Sequence, residues 1–256
     1  MVLHCLCRVR ATLLRHASNC NLTRKAPRNR GFSFSTINPN QSSGRGWAAH
    51  DRIIGVKVLT KFLISAADPA RFPVSTLPEV AFLGRSNVGK SSLINSLVSN
   101  KIAKTSNTPG RTQTINFFEI RWPGRPRPEL LFADLPGYGY ARVPKDVKQL
   151  WSGFIDPYLL ERQHLELCLC LVDANIPPQT VDVQLIEFLR NAGRNFLVVA
   201  TKADRVGNKL HASLEALKKA LGVEQVLAYS SKTGAGHDDL WKLIRGISNT
   251  SPEAEV

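Results

Sequence analysis

Gly84-Arg85-Ser86-Asn87-Val88-Gly89-Lys90-Ser91 is a stretch whose residue types and spacing suit the binding of phosphate. Gly84 and Gly89 let the backbone curl so that successive N–H groups point inward at phosphate oxygens, and a helix beginning at Lys90 adds the positive end of its dipole. Lys90 brings a compact positive charge for a β- or γ-phosphate, and the Ser91 hydroxyl is a hard oxygen donor of the kind Mg²⁺ prefers. The pattern G-x-x-x-x-G-K-S is that of a phosphate loop. About fifty residues further on, Asp134-Leu135-Pro136-Gly137 supplies a carboxylate that can hold a water of the Mg²⁺ shell and a glycine whose N–H can meet a terminal phosphate. Asp-x-x-Gly alone describes an ordinary turn. Its place at the end of the apolar run Leu130-Leu131-Phe132-Ala133 gives it weight.

Thr201-Lys202-Ala203-Asp204 bears on the choice of base. A carboxylate in the base plane accepts from both N1–H and the exocyclic amine of guanine, whereas adenine presents an acceptor at N1 and would repel it. The Lys202 stem can lie over the base, and backbone N–H groups of Ser231 and Lys232, in Ser230-Ser231-Lys232, can meet guanine O6. The competing role for Asp204 is a helix cap after a strand.

These groups converge only if strands carry them to one edge of a sheet. Glu79 to Leu83 is predicted as a buried strand, and Ser92 to Val98 places apolar side chains at helical spacing, so the phosphate loop falls between strand and helix. Further strands are expected at 114–121, 130–134, 165–173, 195–200 and 225–229, the first two of these joined by the hairpin connector Trp122 to Pro128 and therefore antiparallel. Helices are expected at 144–163, where Asp156-Pro157 can interrupt the pattern, and at 179–192, 210–221 and 237–247. The loop Asn100 to Gln113 is long for a compact domain, which marks it as functional. Alternating strands and helices imply an α/β fold, with a mixed, mostly parallel six-stranded sheet and helices on both faces. Ligand loops then lie at the carboxyl ends of the strands.

Net charge is +14, and its distribution is uneven. Residues 1–50 hold eight of the 34 Lys/Arg and no acid, leaving 26 against 20 acids in the remainder. This leader interleaves Val2, Leu3, Leu6, Val9, Leu13 and Leu14 with arginines, as an amphipathic organelle presequence does, and Arg30-Gly31-Phe32-Ser33 is similar to a matrix-peptidase cleavage context. A basic tail that touches nucleic acid, or an uncleaved extension of a cytosolic protein, are the alternatives. No stretch approaches the roughly 18 apolar residues of a membrane span. Cys5, Cys7 and Cys20 would leave with the leader, and Cys168 and Cys170 alternate within a buried strand, so a disulfide framework or zinc site is not expected. The chain therefore divides into a presequence and disordered linker at 1–46, an N-terminal lead-in at 47–78 containing an ordered segment or short helix, a nucleotide domain at 79–248 and a tail at 249–256.

Taken together, these segments resemble the translation-factor-type P-loop GTPases with a Ras-like fold. Within them, Gly84 to Ser92, Thr108-Pro109-Gly110-Arg111-Thr112-Gln113-Thr114-Ile115-Asn116-Phe117-Phe118, Asp134-Leu135-Pro136-Gly137-Tyr138-Gly139-Tyr140-Ala141, Thr201 to Asp204 and Ser230 to Lys232 are similar to the EngB family of ribosome-biogenesis GTPases, over about residues 60–248. The leader adds a mitochondrial, matrix location. The resemblance implies a Mg²⁺-dependent switch that binds GTP and GDP, hydrolyses GTP, and partners a mitochondrial ribosomal subunit or its RNA, as a monomer. It assigns the nucleotide to Gly84, Arg85, Ser86, Asn87, Val88, Gly89, Lys90, Ser91 and Ser92, then Gly110, Arg111, Thr112, Gln113 and Thr114, then Asp134, Leu135, Pro136 and Gly137. Thr201, Lys202, Ala203 and Asp204, with Ser230, Ser231 and Lys232, hold guanine. Ser91, Thr112 and Asp134 become the Mg²⁺ residues, and Lys90, Thr112 and Gly137 act at the γ-phosphate.

Two positions depart from the general GTPase pattern. Thr201 stands where Asn is usual, which bears on affinity. Tyr138 stands where many GTPases carry the glutamine that orients the attacking water, so intrinsic hydrolysis is expected at or below about 10⁻⁴ s⁻¹, the scale of an unassisted small GTPase. Asn87 occupies the position of an asparagine that helps hold K⁺ in a related group, which makes K⁺ a further cofactor candidate. Arg85 and Arg111 are candidates for positive groups near the phosphates. Lys101, Lys104, Arg111, Arg142, Lys145 and Lys148 are candidates for contacting RNA phosphates. Three other functions remain open: an ATPase or nucleotide kinase, which Asp204 disfavours; an assembly module whose hydrolysis is incidental; and a membrane-surface GTPase anchored by its basic leader.

Overall fold

The computed structural model describes residues 57–103, 114–138 and 145–248. The expected presequence at 1–46, the tail at 249–256, residues 104–113 of the expected functional loop and residues 139–144 lie outside the described residues. Seven strands form one sheet in the order β1-β3-β4-β2-β5-β6-β7. They are β1 (Leu59–Ala66), β2 (Glu79–Gly84), β3 (Ile115–Arg121), β4 (Leu130–Asp134), β5 (Leu165–Asp173), β6 (Phe196–Thr201) and β7 (Val226–Ala228). β1 and β3, and β3 and β4, are antiparallel, while the remaining neighbours are parallel. Five α-helices, with three short 3-10 turns, complete the described fold: α1 (Lys90–Leu97), α2 (Lys145–Glu161), α3 (Thr180–Asn191), α4 (Leu210–Leu221) and α5 (His237–Ser248).

The central strands are apolar over most of their length, as suits strands covered on both faces. Alternate side chains of β2 go to opposite sides: Val80 and Phe82 join Leu93, Ile94 and Leu97 of α1 and Leu240, Trp241 and Ile244 of α5. Ala81 and Leu83 face Phe154, Tyr158 and Leu159 of α2, Ile186 and Leu189 of α3, and Leu217 and Leu221 of α4. Cys168 and Cys170 are buried in this second layer, where desolvation pushes the Cys168 thiol up to about 12 and the Cys170 thiol well above its ordinary value. Both are inert core residues.

The sheet has one strand more than the six expected, because part of the lead-in is a strand rather than a short helix. β1 pairs with β3, but its register shifts between Phe62 and Ile64. That bulge breaks the two-residue alternation from which a strand is recognised. As an edge strand it also leaves Leu59 and Phe62 half exposed, so its apolar pattern serves no single face.

Two further expectations are also revised, one for a helix and one for a strand. α2 runs unbroken through Pro157, the possible interruption. Losing one N–H is tolerated where the surrounding turns are anchored: Phe154 and Tyr158 are buried, and the Tyr158 hydroxyl donates to Glu79 Oε2 at 3.0 Å. Glu79, fully buried at the start of β2, also accepts from Arg162 Nε at 2.9 Å, and Arg162 Nη2 reaches the Pro73 carbonyl at 2.6 Å. This cluster fastens the end of α2 to the sheet, away from the phosphate loop. β7 is shorter than expected, yet Tyr229 N still donates to Ala200 O at 2.8 Å, so pairing extends toward the Ser230 loop.

Candidate functional site

The phosphate-loop residues leave β2 at Gly84 and enter α1 at Lys90. Asn87 and Gly89 have φ of +65° and +105°, the left-handed turns that curl the segment back on itself. Lys90 is the first residue of α1 and almost fully buried, and its Nζ is paired with Asp134 Oδ1. Register explains the meeting: β2 and β4 are parallel neighbours with Phe82 opposite Asp134, so one strand end delivers the carboxylate beside the loop that starts from the other. Ser91 follows in the first turn of α1, partly buried, while Ser92 is exposed.

The segment after Asp134 lies against the loop. Tyr138 N donates to Gly84 O at 3.3 Å and Ser86 N to Tyr138 O at 3.1 Å, which continues the β2–β4 pairing past the strands. Gly137 lies close against the loop: a Cβ there would stand 3.0 Å from both Ser86 N and Ser86 Oγ, so the neighbours would have to give way.

At the other end, Thr201 closes β6 opposite Asp173 of β5. Its hydroxyl donates to Val88 O at 2.6 Å, with Val172 O also in reach at 3.0 Å. Thr201 thus ties the phosphate loop to the end of β6, which leads into the segment expected to read the base, a service open to a hydroxyl as well as an amide. Lys202 adopts φ +58° and stretches back across the loop, its Nζ 2.9 Å from Asn87 O and 2.7 Å from Asp173 Oδ2. Asp204 is exposed, and Ser230, itself buried, donates to its Oδ1 at 2.6 Å. That hydrogen bond is the main reason the Asp204 carboxyl lies below its ordinary range. The Lys232 N–H, expected at guanine O6, donates to Ser230 Oγ at 3.2 Å, as does Thr233 N. Ser230 therefore organises its own loop and aims Asp204.

Two residues sit differently from expectation. Arg85 is directed away from a phosphate role: its Nε is 3.1 Å from each carboxylate oxygen of Asp182, a buried residue of α3. The Tyr138 hydroxyl donates to the same carboxylate at 3.3 Å. Burial, then the neighbouring Asp182 charge, pushes the phenol well above its ordinary value, so it stays protonated. Asp182 was not singled out in the sequence. Its only local signature is the Gln179-x-x-Asp182 capping box that starts α3, and its distant partners leave no trace in spacing.

Val88, Leu135, Pro136 and Ala203 are buried supports of the backbone that flanks these groups. Thr114 Oγ1 contacts Asn116 Oδ1 at 3.4 Å, and Lys101 is exposed. Gly110, Arg111, Thr112 and Gln113 lie outside the described residues, as do Lys104, Arg142 and the side chains of Lys145 and Lys148. Among the described residues no helix is long and apolar enough to cross a membrane, and no cluster of three His, Cys, Asp or Glu is placed to hold a metal by itself. The donor set does fit Mg²⁺ carried by a nucleotide: one buried carboxylate and one hydroxyl beside a lysine, with phosphate oxygens completing an oxygen shell.

A model of the family described as 50S ribosome-binding GTPase matches residues 79–202. "Probable GTP-binding protein EngB" of Koribacter versatilis is 59% identical over 200 residues, covering 78% of this chain and 98% of that protein. The protein of the same name from Acidobacterium capsulatum is 55% identical over 201 residues, covering 78% and 95%. Among solved structures, a probable GTP-binding protein engB superimposes with a TM-score of 0.55 at 24% identity, covering 68% of this chain and all of that one.

Proposed function

The chain belongs to the EngB family of GTP-binding proteins, P-loop GTPases, and from that premise we propose that it is a slow GTP-hydrolysing switch in the assembly of a mitochondrial ribosomal subunit. The observation that carries the switch is the buried contact between Lys90 and Asp134. Two opposite charges sequestered from water need strong partners. With a nucleoside triphosphate and Mg²⁺ bound, Lys90 would meet the polyphosphate and Asp134 would help to hold the metal. Binding would then split the pair. Ser91 and Asp134, with Thr112 from the loop outside the described residues, would hold the Mg²⁺. When bound, the metal neutralises charge on the phosphate oxygens.

Guanine selection rests on Asp204, with the Lys202 stem beside the loop and Ser230 fixing the carboxylate. Hydrolysis is slow because Tyr138 offers no amide to orient water and its hydroxyl is committed to Asp182. That same commitment favours a second reading, in which the bound state does the work and hydrolysis only ends it. The ribosomal role draws on the matching family's description, and the mitochondrial location on the acid-free, Arg-rich leader. Lys101, exposed among the described residues, is one of the basic residues expected to meet RNA phosphates.

The test is co-sedimentation of the protein with purified mitochondrial ribosomal subunits in GTP analogue, GDP and no nucleotide. Retention by one subunit in the GTP analogue alone is expected. Equal or absent binding in all three conditions would overturn the ribosomal role while leaving the nucleotide site intact.

A further inference from the structure

Asp182 gathers donors from three separate parts of the chain. Gln179 N donates to its Oδ2 at 2.9 Å, the Tyr138 hydroxyl to its Oδ1 at 3.3 Å, and Arg85 Nε lies 3.1 Å from both oxygens. The first of these is all that a helix cap requires. The other two come from the phosphate loop and from the segment after Asp134, which are already joined by the backbone bridge between Arg85 and Tyr138. A carboxylate only 1% exposed therefore clamps the side chains of a bridge whose backbone runs beside Gly137. The phenol, kept protonated by its surroundings, is held as a donor.

We propose that Asp182 is a positioning residue for γ-phosphate discrimination: through Arg85 and Tyr138 it holds Gly137 against the phosphate loop, where its N–H meets the terminal phosphate of GTP. This rests on the GTPase site described above. With the clamp in place Gly137 is set before nucleotide arrives, so GTP gains its contact without ordering the segment. Without the clamp, ordering must be supplied by GTP binding, and affinity falls by that cost. GDP carries no γ-phosphate, so its affinity is unaffected. The clamp also explains the tyrosine: glutamine at 138 could not pack as an aromatic ring beside α3 and still reach Asp182 with a hydroxyl.

The experiment compares equilibrium binding of GDP and a non-hydrolysable GTP analogue to the full chain and to Asp182→Asn and Tyr138→Phe, with thermal unfolding of each. Tyr138→Phe keeps the ring and removes one donor, so it remains informative should Asp182→Asn fold poorly. Expected is a fivefold to tenfold loss, about that of one or two hydrogen bonds, for the GTP analogue in Asp182→Asn, a smaller loss in Tyr138→Phe, and less than twofold change for GDP in both. Equal weakening of both nucleotides alongside a lower melting temperature would make Asp182 a helix cap only and overturn the proposal, as would unchanged binding of both. Failure of the unmodified chain to bind either nucleotide would instead refute the GTPase site itself.

Discussion

Replacing Thr201 by Val removes one hydroxyl and little else. The side chain is 3% exposed, the two residues are nearly isosteric, and β6 tolerates a β-branched residue at its end. What disappears is the hydrogen bond to Val88 O at 2.6 Å and the neighbouring contact with Val172 O at 3.0 Å. Val172 and Thr201 keep their sheet partners, and Ala174 N still donates to Thr201 O at 2.9 Å, so the strand itself should survive. The loss falls on Val88, a buried residue in the middle of the phosphate loop.

A carbonyl deprived of its buried donor costs about 1–3 kcal/mol. We take about 1.5 kcal/mol here, because a loop carbonyl at the edge of a nucleotide site can recover part of its hydration. As stability, that lowers the melting temperature by about 3–6 °C for a domain of this size. As preorganisation, it weakens nucleotide binding by about tenfold. GTP and GDP should suffer alike, because the bond supports the loop and the base segment rather than the terminal phosphate. Isothermal titration with GDP and a GTP analogue, alongside thermal unfolding, reads both quantities. A lower melting temperature with nucleotide affinity held within twofold would show that the bond supports the scaffold without shaping the site. No change in either would show that Val88 finds another donor, and the reasoning would fail.

Gly137→Ala places a Cβ 3.0 Å from Ser86 N, so the segment and the phosphate loop must part by a few tenths of an ångström; single-turnover hydrolysis should fall by about tenfold, with GDP affinity nearly kept. Glu79→Ala strips Arg162 and Tyr158 of a fully buried acceptor, and urea unfolding should show a loss of about 3 kcal/mol, the low end for a broken buried pair because Arg162 is itself partly exposed. Since Glu79 lies at the opposite end of β2 from Gly84, nucleotide affinity in that variant should not change. Asp156, on α2, has its carboxyl pushed up to about 6 by burial. In the unfolded chain it titrates near about 3.9, so the folded state loses relative stability as pH rises from there through 6. Asp156→Asn should therefore raise the melting temperature at pH 7 and make no difference below about pH 4.

Chemistry that depends on neighbours along the chain was legible in the sequence. The phosphate loop, Asp134 with Gly137, and Thr201 to Asp204 each sit at the end of a strand whose apolar run announces it, and parallel pairing brings those ends together. Even Lys90 meeting Asp134 follows from β2 and β4 being neighbours. Two things resisted. β1 was obscured by a bulge that shifts its alternation midway, so a pattern of period two never completes. Asp182 was hidden for a different reason: it lies 97 residues from Arg85 and 44 from Tyr138, and its local role as a cap is sufficient to explain an acid there. A capping box stabilises a helix whatever else its carboxylate touches. Sequence patterns register the first interaction a side chain satisfies, and a residue that satisfies several through the fold is recognised only by the first. In this chain that economy joins the start of α3 to the two segments that would sense the γ-phosphate. Substitutions at Asp182 should therefore perturb nucleotide preference before they unfold the helix it caps.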